Sequence, residues 1–561
     1  MKKRMAALLA LCGAMAGPAG GGVPSSLTEE EARARFPLSL SDDGARVQLP
    51  ALPPGAKLTL IGADLEQVVD ARLRVYPPLE DKLVQIDFAL RMPGYNGFLT
   101  LPIQIPGAGG ARGANPKPAV LPAIQEWQGG SGSFIIGARS RLAAEEPALR
   151  DVLQTAAQLL EEALGFPLEQ AIAPRGACRP GDIFLTLQTQ DKAMGGEGCR
   201  GEIADVITLE ANTETGLIWG LQTLAQLARG HALPRGCFRD YPRYPVRGLV
   251  FDIGRRPVPL EALREVVRQL SRHKMNDLHL HLNDNAVKLD AFQDVWEAYS
   301  AFRLESNVEG LTARDFSYTK AEFLELTRYA KSLGVKIVPE IDVPSHALAM
   351  TKARRDLALA QRGKNAEMLD LNNKDTLPFV QGIFEEYLSD GTFEGAVVHM
   401  GADEYAAKHS RAFRRFSNDM IDFLQARGKT VRMWGSLTGI GGRGKIHAEG
   451  VQMNLWNNGW AEPKAMYDQG FSLINTNDEA LYIVPDAGYY HEWLDLADIE
   501  KNWQPNLFGG VRLPAGSPRV LGAAFALWND MIETQPRQTP TIDDLLERIV
   551  APLPVIAPKL W

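Results

Sequence analysis

Cysteine is scarce in this chain, with four residues among 561. There is no Cys-x-x-Cys pair and no cluster of cysteine with histidine, which argues against a structural zinc site. We therefore expect neither a metal nor a cofactor. Cys178, Cys199 and Cys237 lie beyond the N-terminal segment. In an oxidising compartment one pair of them could form a disulfide, and Cys178 with Cys199 would close the shorter loop.

Long apolar runs and basic blocks are also missing. Beyond the N-terminus, no segment approaches the ~20 uninterrupted apolar residues of a membrane-spanning helix. Lys and Arg number 60 against 68 Asp and Glu, which gives a formal net charge of -8. Without a basic block the chain cannot neutralise many phosphates. We expect no membrane span and no nucleic-acid partner, and the composition leaves the oligomeric state open.

The N-terminus has the pattern of an export signal. Three basic residues at 2–4 precede a short apolar run, and Ala-Met-Ala at 14–16 fits a small-x-small cleavage site. The sequence thus predicts a signal peptide over 1–16 and a secreted or periplasmic protein. A lipid anchor at Cys12 is the less favoured alternative, because Leu11 before it is larger than such motifs usually allow.

Two small domains are predicted ahead of the largest one. Residues 24–130 are rich in Pro, Gly and short alternating apolar segments, which favours a β-rich domain resembling a small β-sandwich. Residues 132–240 mix strand patterns with two apolar-striped helices, as expected of a small α+β domain. The predicted strands lie at 45–49, 57–61, 83–90, 133–136, 182–187 and 205–209, and the predicted helices at 149–164 and 215–227.

Strand and helix signals alternate over residues 245–561. The predicted strands are 247–252, 277–282, 335–341, 396–400, 431–434, 451–456, 471–475 and 520–528, with helices at 260–273, 320–333, 376–388 and 407–427. Eight strands with helical crossovers predict an α/β fold, a (β/α)8 TIM barrel. Because the loops after the strand C-termini build the site in such barrels, we expect functional residues there.

The fourth predicted strand ends in two adjacent carboxylates, Asp403 and Glu404. Two acids in a partly desolvated site repel each other, so one tends to keep its proton while the other stays charged. That division suits a general acid beside a fixed anion. The alternative is structural: Asp and Glu are favoured in the first turn of a helix that would start near Tyr405.

Other strand ends carry side chains suited to a sugar. Trp434, Trp456 and Trp528 end three strands and together indicate an aromatic box, since the apolar C–H faces of a sugar stack on indoles. Carboxylates and a cation would bind the hydroxyls around its rim. The candidates for this rim are Asp284, Asp530 and Arg247. The alternative for Arg247 is a buried ion pair with Asp252 or another acid under the barrel mouth.

Four blocks of the sequence form a recognisable set. They are Arg-Gly-Leu-Val-Phe-Asp-Ile-Gly-Arg at 247–255, His-Leu-Asn-Asp at 281–284, Pro-Glu-Ile-Asp-Val-Pro-Ser-His at 339–346 and His-Met-Gly-Ala-Asp-Glu at 399–404. In this order they resemble the signature blocks of glycoside hydrolase family 20, which contains the β-N-acetylhexosaminidases and lacto-N-biosidases. The resemblance covers about residues 132–561. It implies a barrel preceded by a small α+β domain.

The resemblance also implies a mechanism and a set of roles. Such enzymes cleave terminal β-linked N-acetylglucosamine or N-acetylgalactosamine with retention, and the substrate's own 2-acetamido carbonyl acts as the nucleophile. The implied roles are Glu404 as general acid and then base, Asp403 on the acetamido N–H, Tyr482 on the acetamido carbonyl, Trp434, Trp456 and Trp528 as walls, Arg247 on the 3- and 4-hydroxyls, and His346 with Asp284 orienting the acid.

The chain departs from the commonest pattern of this family at several positions. Gly-Ala-Asp-Glu replaces Gly-Gly-Asp-Glu, Val484 stands where a polar residue often binds a hydroxyl, and Asp530 ends a Trp-Asn-Asp triplet in place of Trp-x-Glu. These departures resemble the branch that includes lacto-N-biosidases, so release of a Gal-GlcNAc disaccharide is the main alternative. A metal-dependent barrel hydrolase using His279, His281, His346 and Asp403, and a binding module without activity, are less favoured.

Overall fold

The protein is described here from a computed structural model that covers residues 28–531 and 540–561, apart from 109, 111, 112 and 190. The predicted signal peptide and Cys12 lie outside these residues. Within the described part of the chain, none of the helices has the length and hydropathy to cross a bilayer. The chain forms two smaller units and a barrel, each with its own buried apolar core.

The N-terminal unit is built on a three-stranded antiparallel sheet. Its elements are the helix Glu29–Arg35 and the strands Ser39–Leu40, Val47–Gln48, Lys57–Ala63, Lys82–Met92 and Tyr95–Ile105. The unit is β-rich, as predicted. One face of the larger sheet is covered by the helix and the loops that follow the first strands, rather than by a second large sheet. Tyr95–Ile105 was not predicted as a strand; it is an edge strand, where a proline such as Pro102 is tolerated.

The second unit is a seven-stranded mixed sheet with two helices. Its strands are Glu126–Ile135, Arg141–Ala144, Glu169–Ile172, Ile183–Thr186, Cys199–Ile203, Ile207–Ala211 and Ala232–Asp240, and its helices are Arg150–Leu164 and Glu214–Ala228. The predicted boundary at 130–132 is wrong, because it falls inside Glu126–Ile135, which pairs with Ala232–Asp240. Cys178 and Cys199 carry free thiols, so the disulfide considered for them is not formed.

The largest unit is a closed barrel of eight parallel strands, as predicted. The barrel strands are Val246–Asp252, Asp277–His281, Lys336–Val343, Val397–Gly401, Thr430–Trp434, Gln452–Leu455, Ser472–Asn475 and Val520–Leu527, and the larger helices between and after them are Leu260–Arg272, Lys320–Ser332, Thr376–Ser389, Ser410–Gln425, Pro463–Gln469, Leu496–Asn502, Ile542–Val550 and Leu553–Leu560. The first and last strands pair in parallel and close the ring. Their burial on both faces explains the near-continuous apolar runs in the sequence.

The second unit contacts the barrel through its two helices, which pack against Leu260–Arg272 and Lys320–Ser332, and Trp561 joins the two units. Its indole Nε1–H donates to Asp240 Oδ1 at 2.7 Å, and its ring packs edge-to-face against Trp219. The Lys274 ammonium lies 4.4 Å from the centre of the Trp561 ring and forms a 2.5 Å ion pair with Asp240. This indole therefore satisfies a buried carboxylate and fills the space between two cores.

We expect Trp561→Ala to lower the free energy of unfolding by about 3–5 kcal/mol, because it leaves a cavity and removes a hydrogen bond to a buried carboxylate. Chemical denaturation followed by circular dichroism measures this loss. The matched control is Trp493→Ala, because Trp493 is 42% exposed; we expect it to cost less than about 1 kcal/mol. Equal losses in the two variants would contradict the role given to Trp561.

Candidate active site

A cavity of about 690 Å³ opens at the C-terminal ends of the barrel strands. Residues from every part of this rim line it. They are Arg255, His281, Asp284, Asn285, Val287, Leu289, Asp342, His346, Lys364, Glu367, Met368, Asp403, Glu404, Trp434, Trp456, Trp460, Tyr482, Val484, Tyr489, Tyr490, Trp528 and Asp530. The structure thus brings together all the predicted site residues except Arg247.

The two adjacent acids are aimed into the cavity by a strained turn. The backbone of Gly401, Ala402 and Glu404 has positive φ angles of 67°, 76° and 46°. A Cβ on Gly401 would lie 1.7 Å from Asp342 Oδ1, so only glycine fits there. Helix Ser410–Gln425 starts too late to include either acid. The alternative that these carboxylates open a helix is therefore wrong.

Asp403 and Glu404 differ in their surroundings. The Asp403 side chain is 14% exposed and its Oδ1 has no hydrogen-bond partner, whereas the Glu404 side chain is 43% exposed. Burial raises the pKa of Asp403 to about 6, with the neighbouring Glu404 charge adding to the rise and His346 opposing it. Burial also raises the pKa of Glu404, but the contact with His346 outweighs that effect and the net pKa is lowered. In this structure Asp403 is therefore the more readily protonated acid.

His346 connects Glu404 to a deeper carboxylate. Its Nδ1 lies 3.0 Å from Asp284 Oδ1, and its Nε2 lies 3.4 Å from Glu404 Oε2 and 4.0 Å from Asp403 Oδ2. The residue has a positive φ of 56°, and its backbone N–H donates to Glu367. The imidazole is thus held between the two carboxylates. The orienting role that the family resemblance implies for His346 and Asp284 stays a prediction.

Aromatic side chains wall the cavity opposite the acids. Trp456 and Tyr482 are stacked at 6.4 Å with 11° between their planes, and Trp434 packs against Trp528 at 5.8 Å. The indole N–H groups of Trp456 and Trp528 are buried without a partner, and such groups normally find one. Burial and nearby anions raise the pKa of Tyr482 well above its usual value, which keeps its hydroxyl protonated. The Tyr482 hydroxyl is therefore a donor in the wall of the cavity.

The rim of the cavity carries a cation beside several acids, and this cation is Arg255 rather than the predicted Arg247. Arg255 makes ion pairs with Asp252 at 3.1 Å, Asp284 at 2.8 Å and Asp530 at 3.3 Å. Tyr489 donates its hydroxyl to Asp530 Oδ2 at 2.6 Å. The guanidinium and the Asp530 carboxylate therefore lie side by side, in the arrangement that neighbouring sugar hydroxyls require.

The prediction that Arg247 binds substrate is wrong. It is the second residue of Val246–Asp252 and therefore lies at the N-terminal end of the barrel, away from the cavity. The side chain is fully buried and pairs at 2.5 Å with Glu197 of the seven-stranded sheet unit. The alternative of a buried ion pair is correct in kind, although its partner is Glu197 rather than Asp252. Position within the strand distinguishes Arg247 from Arg255, since only residues after the strand end reach the mouth.

Some lining residues of the cavity were not predicted, among them Glu367, Tyr489 and Trp460. Glu367 ends the short 3-10 helix Lys364–Glu367 within a long loop, and Tyr489 and Trp460 come from loops without a strand pattern. Burial raises the pKa of Glu367 to about 7, with the charges of Asp284 and Glu404 adding to the rise and His346 opposing it. No periodic signal in the sequence marks these positions, because their placement depends on how the loops pack over the barrel.

Among the residues that the structure describes, three groups of side chains have ligand-type atoms within 4.8 Å of one another: His279 with Glu340 and His399, His281 with Glu340 and Asp342, and Asp342 with His346 and Asp403. Most of these atoms already have partners. His281 contacts carboxylates through both nitrogens, and His399 Nδ1 accepts from the Gly401 N–H. His279 lies beneath the cavity against Glu340 rather than beside His346. The arrangement therefore favours acid–base chemistry over metal chemistry.

This barrel, with an acid pair beneath an aromatic wall, is the architecture of a glycoside hydrolase, and sequence models identify the family. Residues 244–543 match the catalytic domain of glycosyl hydrolase family 20, and residues 117–241 match domain 2 of the same family. Together these matches span more than half of the chain. The protein belongs to glycosyl hydrolase family 20.

Individual relatives are distant. The chain is 24% identical to a lacto-N-biosidase of Bifidobacterium bifidum over 451 residues, which cover 74% of this chain but 37% of that protein. It is 27% identical to a beta-hexosaminidase of Akkermansia muciniphila over 395 residues, covering 63% of this chain and 76% of that one. A Streptomyces plicatus beta-hexosaminidase solved with GlcNAc has a TM-score of 0.65 at 23% identity, over 80% and 91% of the two chains. The last similarity supports the fold.

Proposed function

We propose that this protein is a retaining β-N-acetylhexosaminidase that removes terminal β-linked N-acetylglucosamine or N-acetylgalactosamine from glycans. The observation that carries the proposal is the placement of two unequal acids. Glu404 lies at the open side of the cavity, within reach of a leaving group, while Asp403 lies deeper with an unpartnered oxygen. Several relatives of this family are named beta-hexosaminidases.

The deep end of the cavity suits an acetamido group. The Asp403 carboxylate lines this end and can accept from its N–H, and the protonated Tyr482 hydroxyl can donate to its carbonyl. With the amide held in this way, its carbonyl oxygen attacks the anomeric carbon as the bond to the leaving oxygen breaks, and Glu404 gives its proton to that oxygen. The resulting oxazolinium carries a positive charge, which ionised Asp403 stabilises. Glu404 then removes a proton from the water that opens the ring.

Substrate binding must reverse the protonation preference of the two acids. A sugar over the half-exposed Glu404 removes water from its carboxylate, which raises its pKa. The acetamido N–H donates to Asp403 and favours its ionised form. Both changes act in the direction that the reaction requires.

The rim supports binding of the remaining hydroxyls. Arg255 and Asp530 offer donor and acceptor groups side by side, whereas Val484 gives the cavity an apolar contact where a carboxylate or amide would bind a further hydroxyl. We further propose that the protein is secreted or periplasmic, on the basis of the N-terminal export pattern. A lipid anchor at Cys12 is less favoured.

A second candidate activity is that of a lacto-N-biosidase, which would release a Gal-GlcNAc disaccharide. A side cleft of about 110 Å³ shares Val287, Tyr489 and Asp530 with the main cavity and continues along Ala291 and Phe292. A second sugar attached at the rim side of the N-acetylhexosamine would enter this apolar cleft. One relative of the chain is named a lacto-N-biosidase.

The first test is release of nitrophenol from the β-nitrophenyl glycosides of N-acetylglucosamine, N-acetylgalactosamine, lacto-N-biose and glucose. We expect fast release from the N-acetylated monosaccharides and none from the glucoside, because glucose has no acetamido nucleophile. An N-trifluoroacetyl analogue should react more slowly than the N-acetyl substrate, since its carbonyl is less nucleophilic. Hydrolysis of the glucoside at a comparable rate would contradict the mechanism, and release from the disaccharide alone would favour the second candidate.

Replacement of the general acid should depend on the leaving group. We expect Glu404→Gln to lower kcat by about 10²–10⁴-fold for an alkyl glycoside and by much less for a dinitrophenyl glycoside, which departs without a proton. The control is Glu449→Gln, because Glu449 is an exposed carboxylate outside the cavity. Equal losses on both leaving groups would remove Glu404 from this role.

kcat/KM should fall as the pH rises through about 6, the value to which burial raises the pKa of Asp403. The reaction needs one proton on the pair of acids, carried by Glu404, and the free enzyme loses that proton above this pH, so kcat/KM should halve near it. Asp403→Asn should lower kcat by about 10²–10³-fold and move this basic limb to lower pH, because the pKa of the remaining acid, Glu404, is lowered. An unchanged basic limb in that variant would assign the titration to another group.

Replacement of Tyr489 should distinguish the two candidate activities. If the side cleft holds a second sugar, Tyr489→Ala should lower kcat/KM for the lacto-N-biose glycoside by about tenfold, equivalent to ~1.4 kcal/mol of stacking. The monosaccharide substrates should change much less. Trp493→Ala is the matched control, since it removes another exposed aromatic side chain of the same loop. Similar losses on both classes of substrate would argue against a second sugar in the cleft.

A further inference from the structure

A series of charged side chains, in contact with one another, continues from Glu404 down into the barrel. His281 ends the second barrel strand, with Nδ1 2.6 Å from Glu340 Oε2 and Nε2 2.7 Å from Asp284 Oδ2. Asp284 in turn contacts His346, which reaches Glu404. Acidic and basic groups therefore alternate from the barrel axis to the cavity mouth.

His281 can satisfy both neighbours only as an imidazolium. A neutral imidazole has one N–H donor, whereas both ring nitrogens here face carboxylate oxygens. Glu340 has further donors: His279 Nε2 at 2.9 Å and Trp434 Nε1 at 2.6 Å. The cation is thus shared by two buried carboxylates, each of which is also held by other donors.

We propose that His281 and Glu340 are positioning residues that set the charge on the catalytic acids through Asp284. His281 supplies a fixed positive charge that adds to that of Arg255 in keeping Asp284 ionised, and Asp284 then holds His346 as the cation beside Glu404. Glu340 keeps His281 protonated and anchors Trp434 in the wall. The inference rests on the proposed function, because it assigns these residues a role in that reaction.

The groups around His281 are consistent with this assignment. Glu340 and Asp342 of the third barrel strand and Asp284 after the second face it, and the Trp528 ring lies edge-on at 5.1 Å. Burial alone would lower the pKa of His281, but Glu340 and Asp284 raise it well above the usual value. The positive charge of His281 also acts on Asp403. It opposes the rise that burial causes in the pKa of Asp403.

His279 provides a matched control on the same strand. It is equally buried and contacts the same Glu340 oxygen, but its Nδ1 has no partner. Burial lowers its pKa, so it is neutral, and it contacts Glu340 rather than Asp284. Replacing His279 therefore removes a similar ring without removing a charge.

The test is the pH dependence of kcat/KM for variants of opposite charge. In His281→Gln, loss of the cation raises the pKa values of Asp403 and Glu404, so both limbs of the profile should move up by about 0.5–1 pH unit. In Glu340→Gln, loss of the anion should move both limbs down. The double variant should return towards the wild-type profile. His281→Gln should also lower kcat by about 10–100-fold with little change in KM, because Glu404 is misplaced.

His279→Gln should leave the position of both limbs unchanged, whatever its effect on kcat. Shifts of the same sign in the two opposite-charge variants, or an equal shift in His279→Gln, would overturn the proposal. If the wild-type protein releases no sugar, the proposed function fails, and a second measurement still decides the inference. In ¹⁵N-histidine NMR, His281, assigned by its loss in His281→Gln, should keep both ring protons at pH 8–9 while His279 is neutral. A neutral His281 at that pH would refute it.

Discussion

The cavity depends on one buried carboxylate, Asp284, which is held by cations from three sides. Arg255 follows the first barrel strand, His281 ends the second and His346 follows the third. His346 in turn contacts Glu404, which follows the fourth strand. Four consecutive strand ends are therefore tied to each other by charge, and closure of the barrel fixes the distances between them. A carboxylate buried at this depth without such partners would take up a proton or destabilise the folded state.

The charged cluster around Asp284 fixes the positions of the site residues more than it stabilises the fold. Buried ion pairs lose about as much hydration energy as they gain in attraction, so their net contribution to folding is small. The apolar barrel core surrounding these strands stabilises the fold instead. Because the apolar core stabilises the fold, strained backbone can persist at the mouth of the cavity. Ala402, His346 and Glu404 have left-handed backbone conformations there. The strain and the buried charges lie on the same loops.

The barrel strands were predictable because each is buried on both faces and forms a short apolar run. The strand Tyr95–Ile105 was not, because the sequence does not show that Pro102 lies at a sheet edge. In the site, the residues adjacent to strand ends, such as Asp403, Glu404 and Trp434, were found from the pattern. Arg247 was misassigned because its motif contains two arginines, and only the strand direction shows which one reaches the mouth. Glu367 and Tyr489 depend on loop packing, which leaves no periodic signal.

The hydrogen bond between Tyr489 and Asp530 has a consequence for the geometry of the rim. The phenol contacts one oxygen of this carboxylate and Arg255 contacts the other, so the Asp530 side chain is held in one orientation before any ligand binds. Because a carboxylate oxygen accepts more than one hydrogen bond, an incoming donor can join these two partners without replacing them. The carboxylate is therefore preorganised, and a donor that binds it costs little side-chain entropy.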